Sequence, residues 1–296
     1  MADPLVTLAL PLYKSCRFLD IIIENLETLA YPNLEILISD RHCADDAIDV
    51  LQARFGQDAR FRFFRARDEI NWVTHYNFLL RAATGKYFLW MAHDDSYSPN
   101  YVTALVYALE QHADAIVAYG TFEGIFPEGA RIILPKAVPF SNTEPWTMHT
   151  AFRMFLDHQL GPAFHGVFRR EPILQKGLFL LTTRDANAAD FVWMFGIACM
   201  GPWLWTPDCY FLKRFYPTST HAIWTTRTWR HTLAEIPIVR AYVVDTETSV
   251  PRRVRGWSIV LVWTLFRLGG NARDALHAHP ALDGQIRRFL LKLNLW

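Results

Sequence analysis

Four short apolar or alternating runs, Val6 to Leu12, Leu34 to Asp40, Phe61 to Arg65 and Tyr87 to Ala92, are separated by stretches long enough for one helix each. Those stretches, Leu19 to Leu29, Asp46 to Phe55 and Val73 to Ala83, place apolar residues at helical spacing, and Gly85 is positioned to close the third as a C-cap. Strands alternating with helices predict an α/β architecture: a Rossmann-like, mostly parallel sheet with flanking helices. In such sheets ligands gather beyond the carboxyl ends of the strands. Pro11-Leu12-Tyr13, Asp40 and Asp94-Asp95 all fall at predicted strand ends, so three polar strand ends should converge on one edge.

The acidic pair carries the most chemistry. His93-Asp94-Asp95 follows the apolar run Tyr87-Phe88-Leu89-Trp90-Met91-Ala92, so a buried strand would deliver two carboxylates into a loop. Hard oxygen ligands of this kind suit magnesium or manganese, which keep open positions for water or substrate phosphates. Ser96 and Pro99 make the same residues readable as ordinary turn and helix-cap chemistry.

Taken in order, LVTLALPLY (Leu5 to Tyr13), YPNLEILISDRHCADD (Tyr31 to Asp46), NWVTHYN (Asn71 to Asn77), AATGKY (Ala82 to Tyr87) and His93 to Asp95 resemble the successive blocks of glycosyltransferase family 2, nucleotide-sugar enzymes of GT-A fold. The aromatic-rich strand, His-Asp-Asp and Tyr97-Ser98-Pro99 are similar to a bacterial subgroup. The likeness thins through Gly166 to Arg170, Ala189-Asp190 and Leu212-Lys213-Arg214, to about Thr220. It implies that Pro11 and Tyr13 line the nucleotide pocket, that Asp40 accepts from the base, and that Asp94 lies by ribose or sugar. It also implies that Asp95 binds the divalent metal directly and that Asp190 is the base of an inverting transfer. The ionised Asp40, which only accepts hydrogen bonds, suits an NH-bearing base edge such as uracil, making UDP the preferred nucleotide. Many relatives act on lipid-linked or other glycan acceptors, so a hydroxyl of a glycan or glycolipid is the expected acceptor.

The chain departs from that pattern at several points. Arg41 stands where a second acid is common, His93 replaces the first Asp of a fuller triplet, and Ala189 precedes Asp190 where many relatives have Glu. Asp185 competes for the base role. Tyr216 sits where relatives can carry a metal-binding His, with His221 the nearest substitute. Arg184, near Asp190, is the arginine best placed for the diphosphate; Arg169 and Arg170 suit either phosphate or a solvated surface. His75 and Asn77 either point toward the sugar or satisfy backbone groups. His277 and His279 lack a third zinc ligand at suitable spacing.

A chain of 296 residues with 51% hydrophobic and 20% charged residues belongs to the globular class, and a formal net charge of +1 gives no footprint for nucleic acid. Cys16, Cys43, Cys199 and Cys209 form no CxxC pair, and the start Met1-Ala2-Asp3-Pro4 has no signal-peptide character, so a cytoplasmic protein is expected. The expected domains are a catalytic unit over 1–220, with a nucleotide-binding half (1–120) and an acceptor-side half (121–220), and a helical, basic, Trp-rich appendage over 221–296. Ile125 to Thr143 reads as an irregular excursion, followed by a helix near Pro145 to Asp157. The apolar stretch Trp257 to Leu268 is too short to cross a bilayer, which takes roughly twenty residues. Ile286, Phe289, Leu290, Leu293 and Trp296 beside Arg287, Arg288 and Lys292 suit an interfacial helix, hence peripheral membrane contact at the inner face. Packing on the catalytic domain or in a homodimer is the alternative. Two other classes compete with a transferase. A nucleotidyltransferase would need a Gly-rich basic loop that Pro11-Leu12-Tyr13-Lys14 does not supply. A non-catalytic binding or assembly protein on a degenerate scaffold is motivated by His93, Ala189 and Tyr216.

Overall fold

The computed structural model describes residues 2–42, 45–133, 160–182, 189–218, 229–245, 253, 256–261 and 263–264. Contacts divide the chain into two compact units, Met1–Ala222 and Ile223–Trp296.

In the first unit, β1 (Val6–Leu12), β2 (Leu34–Asp40), β3 (Phe61–Arg65) and β4 (Tyr87–Trp90) pair in parallel in the order β3-β2-β1-β4. Every residue of β1, β2 and β4 is buried. Strands covered on both faces read as near-continuous apolar runs, which is how these appear in the sequence. The connecting helices are α1 (Leu19–Thr28), α2 (Ala47–Phe55) and α3 (Trp72–Ala82). Asn71 starts α3 by accepting from the Thr74 amide at 2.8 Å.

Beyond β4 the sheet becomes mixed. After β5 (Ser96–Tyr97) and α4 (Tyr101–Gln111) come β6 (Val117–Ile125), β7 (Arg131–Ile133), α5 (Leu160–Ala163), β8 (Val167–Arg169), α6 (Arg170–Gln175), α7 (Ala189–Ala198) and β9 (Trp203–Arg214). The sheet order continues β4-β8-β6-β9-β5, with β7 on β6. Strand β9 runs parallel to β6 and antiparallel to β5, pairing Leu212 with Ser96 and Phe211 with Tyr97. Arg131–Ile133 is thus a regular strand inside the span expected to be irregular. Residues 134–143 and the helix expected near Pro145 to Asp157 lie outside the described residues.

A buried polar node fixes the register at the amino ends of the parallel strands. Thr7 and Glu35 face each other across β1 and β2, and Thr7 Oγ1 donates to Glu35 Oε2 at 2.6 Å. Arg62 Nη1 and the Thr84 amide also donate to Glu35, and the Gly85 amide donates to Thr7 Oγ1. Burial alone would raise the Glu35 pKa, but these hydrogen bonds together lower it. Gly85 is not the C-cap expected from sequence; Ala83 caps α3 in an extended conformation. The absent side chain serves close approach instead: a Cβ on Gly85 would lie 2.7 Å from the Thr7 nitrogen and 2.7 Å from the Tyr87 oxygen.

In the second unit, α8 (Trp229–Arg240) contains Pro237 and passes into a π turn over Ala241–Asp245. The segment Ile286 to Trp296 lies outside the described residues. Among the described residues no helix is long and apolar enough to cross a membrane.

Candidate active site

The parallel strands end on one edge. There β1 passes into Tyr13 and Lys14, β2 ends at Asp40, and β4 leads through Met91 and Ala92 to His93, Asp94 and Asp95. Among the described residues the non-glycine residues at positive φ are Lys14 (51°) and His42 (69°), just beyond β1 and β2. Left-handed backbone without glycine is costly, and here it collects at the ligand edge of the sheet.

At the end of β2, Asp40 is buried and its Oδ2 accepts from the His42 amide at 3.1 Å. The Arg41 guanidinium lies 3.4 Å from the centre of the Tyr13 ring, a cation-π contact joining the two strand ends. His75 is buried and meets Ser39 Oγ through Nε2 at 2.8 Å, so it braces the end of β2. Burial, reinforced by Arg41, pushes the His75 pKa down to about 4. Asn77 clamps the backbone of Leu180, donating to its carbonyl at 2.7 Å and accepting from its amide at 2.9 Å. Of the two, Asn77 satisfies backbone groups, and His75 bonds a side-chain hydroxyl at the end of β2.

The acidic loop is held from three sides. Asn25 donates to the Asp95 carbonyl at 2.8 Å and accepts from the Tyr97 amide at 3.1 Å. His93 Nδ1 meets Ser15 Oγ at 2.5 Å, tying the loop after β1 to the loop after β4. Arg214 donates from its backbone to Asp95 Oδ1 at 2.7 Å and from Nε to the Asp94 carbonyl at 3.2 Å. Asp94 Oδ2 accepts from the Tyr216 hydroxyl at 2.6 Å. The Arg17 guanidinium lies against both the Phe18 and the Tyr216 rings, 4.6 and 4.8 Å from their centres.

Lys213, in the sequence only a member of the family-like stretch Leu212-Lys213-Arg214 with no role of its own, gains one from the sheet. Pairing of Ser96 with Leu212 puts Lys213 opposite Asp95 in the next rung, and its Nζ is 3.7 Å from Asp95 Oδ2. That oxygen is fully buried and has no hydrogen bond. Burial would lower the Lys213 pKa, but Asp95, Asp94 and Asp190 together raise it, so the ammonium stays charged. Burial drives Asp95 the other way, up to about 6. Asp190 stands in the first turn of α7, partly exposed, close enough to Lys213 for its charge to be felt. Asp95 and Asp94 from the loop after β4 and Asp190 from α7 thus all act on the charge of one lysine.

The family resemblance implies a divalent ion at this donor set. Among the described residues no three His, Cys, Asp or Glu side chains are grouped to hold a metal. Asp95, expected as the direct ligand, is turned inward: one oxygen is taken by the Arg214 amide and the other faces Lys213. An ion bound to that second oxygen at about 2.1 Å would lie within about 6 Å of the ammonium. At an effective dielectric of about 20 the two cations would repel by roughly 5 kcal/mol. These residues do not fit a resident divalent cation at Asp95, and Asp94 is the carboxylate left partly open. His221, the substitute metal ligand, lies outside the described residues, as do Arg184 and Asp185. Arg169 serves neither phosphate nor solvent. Its guanidinium donates to the Ala115, Leu109 and His112 carbonyls at the end of α4 and to the Tyr87 hydroxyl.

A family model for glycosyl transferase family 2 matches residues 7–175 of the 296. An uncharacterized glycosyltransferase of Rickettsia felis is 27% identical over 139 residues, which are 46% of this chain and 23% of that protein. The glycosyltransferase GlyG of Streptococcus pneumoniae is 25% identical over 118 residues, 40% of this chain and 39% of that one. The chain thus spans well under half the length of these curated relatives. Among solved structures, residues 1–349 of S. aureus TarS with UDP-GlcNAc superpose with a TM-score of 0.69 at 12% identity, covering 95% of this chain and 77% of that one. A mannosyltransferase of Pyrobaculum calidifontis with GDP-Man and Mn2+ gives 0.59 at 14% identity, covering 98% and 81%. At such identities the structures establish a shared GT-A fold and leave the substrate open. With more than half of its length matched by the family model, the chain belongs to glycosyl transferase family 2.

Proposed function

We propose that the protein transfers a sugar from a nucleoside diphosphate to a hydroxyl of a glycan or glycolipid, with inversion at the anomeric carbon. The observation that carries this reading is the acidic pair Asp94-Asp95 at the carboxyl edge of the parallel strands, with Lys213 3.7 Å from Asp95 and Asp190 near enough for its charge to act on that lysine. Tyr13, Pro11 and Asp40 border the same edge, where a nucleoside would lie with its base NH toward the Asp40 carboxylate. Acceptor oxygen attacks the anomeric carbon, its proton passes to Asp190, and the bond to the β-phosphate oxygen breaks with its electron pair going to that phosphate. UDP is the preferred nucleotide, supported by the UDP-GlcNAc complex of TarS; GDP is the competitor suggested by the archaeal mannosyltransferase. Metal dependence is the part of the expectation that these residues support least, and no step here runs through a metal. A cytoplasmic enzyme touching the membrane peripherally through its second unit fits a lipid-linked acceptor.

A second reading, a binding protein on a degenerate scaffold, is favoured by one contact: the Tyr216 hydroxyl on Asp94, where relatives can carry a metal-binding His. Release of nucleoside diphosphate from a panel of UDP-, GDP- and dTDP-sugars, in manganese, magnesium or chelator, separates the two. Turnover of one donor is expected. Nucleotide binding with no release from any donor, with acceptor glycans present, would favour the binding protein, and pyrophosphate release from a nucleoside triphosphate would instead indicate a nucleotidyltransferase.

A further inference from the structure

We infer that the Lys213 ammonium is the resident cation of this site, meeting the donor diphosphate itself and taking the charge-compensating place that a divalent ion would otherwise hold. The inference rests on the proposed transferase activity. Pairing of β5 with β9 delivers Lys213 to the rung opposite Asp95, so the position of the ammonium is set by backbone hydrogen bonding. The side chain is then gripped by a fully buried carboxylate at 3.7 Å whose oxygen has no hydrogen bond. Yet the lysine side chain keeps 25% of its surface exposed, while Asp95 keeps none. Asp95 is therefore the anchor of the pair, and the lysine side chain is its partly exposed member, beside the loop that carries Asp94 at the ligand edge of the sheet.

Two guanidinium groups adjoin the same loop. Arg214 is fixed by its Nε on the Asp94 carbonyl, and Arg17 lies against the Phe18 and Tyr216 rings with Nη1 donating to Thr218 Oγ1 at 3.3 Å. The acidic residues offset these cations, so a diphosphate would be held by direct hydrogen bonds from ammonium and guanidinium groups, which bind phosphate well, rather than by an excess of positive charge. During transfer the sugar–oxygen bond breaks toward the β-phosphate, negative charge grows there, and Lys213 stabilises it without giving up its proton. Only the acceptor proton moves, to Asp190, so the step balances with no added reactant.

The test compares wild type, Lys213→Gln and Lys213→Arg with excess chelator and with manganese, reading donor turnover and, separately, UDP binding by calorimetry. With chelator the wild type should keep its turnover within about 2-fold. Lys213→Gln should lose at least about 100-fold in kcat and about 10-fold in UDP affinity, while Lys213→Arg retains a measurable part of both. Since Lys213→Gln leaves a buried carboxylate unpaired, the double variant Lys213→Gln with Asp95→Asn, checked by thermal melting, serves as the folded control and should show the same loss. Turnover of the wild type that vanishes with chelator and returns with manganese overturns the inference and leaves the transferase reading standing. So does a folded Lys213→Gln or double variant that binds UDP and turns over as the wild type does. A wild type that binds no nucleotide under any condition overturns both.

Discussion

At the scale of single residues, Asp190 is the sharpest test of the proposed chemistry. Asn has the same shape but accepts no proton from a hydroxyl, so Asp190→Asn should cut transfer at least about 100-fold while leaving donor binding within about 3-fold. Single-turnover transfer and calorimetry check the two halves, and unchanged transfer would move the base to another carboxylate. The places of Asp40 and Asp94 at strand ends could be read from the apolar runs before them, whereas Asp190 was singled out only by the family resemblance; the role of each is part of the proposal. Lys213 was not legible: its importance comes from a partner 118 residues earlier, opposite it in a strand pair that no local pattern announces. The inward turn of Asp95 was hidden for the same reason, since the donor to its Oδ1 is the backbone of Arg214.

Among the elements, β1, β2 and β3 have the bounds expected from sequence, because continuous apolar runs between helical segments leave little choice of period. Less was legible beyond β4. Strands such as Ser96–Tyr97 and Val167–Arg169 are too short for periodicity to speak, and their pairing is decided by neighbours far along the chain. The Gly85 error is instructive in the same way. A glycine after a helix reads as a C-cap, whereas the close approach of Thr7 and Tyr87 appears only once β1 and β4 are paired. Gly85→Ala should therefore destabilise the protein by about 1–3 kcal/mol, as overpacking against backbone does. Urea unfolding would measure it. A stability unchanged within about 0.5 kcal/mol would mean that the first rung of the β1–β4 pair tolerates spreading.

For the molecule as a whole, enclosed histidines set the acid limit of the fold. His75, His93 and His165 all have lowered pKa values, in each case first because burial disfavours the charged imidazole. The unfolded chain protonates them near pH 6.5, so between there and the lower native values it binds more protons than the native state. Stability must then fall as pH falls. Asp95 acts in the opposite sense: its native pKa of about 6 lies above the unfolded value, so the native state gains a proton there first. Below about pH 6 the lowered histidines favour unfolding while Asp95 favours the fold, and the net direction is a loss of stability as pH falls. Urea titrations at pH 7.5, 6, 5.5 and 5 should show little slope at first and then that decline. In His75→Gln the decline near pH 5 should be shallower by about one proton, or roughly 1.4 kcal/mol per pH unit. A variant with the wild-type slope would show that His75 is already protonated in the native state and that the end of β2 is open to water.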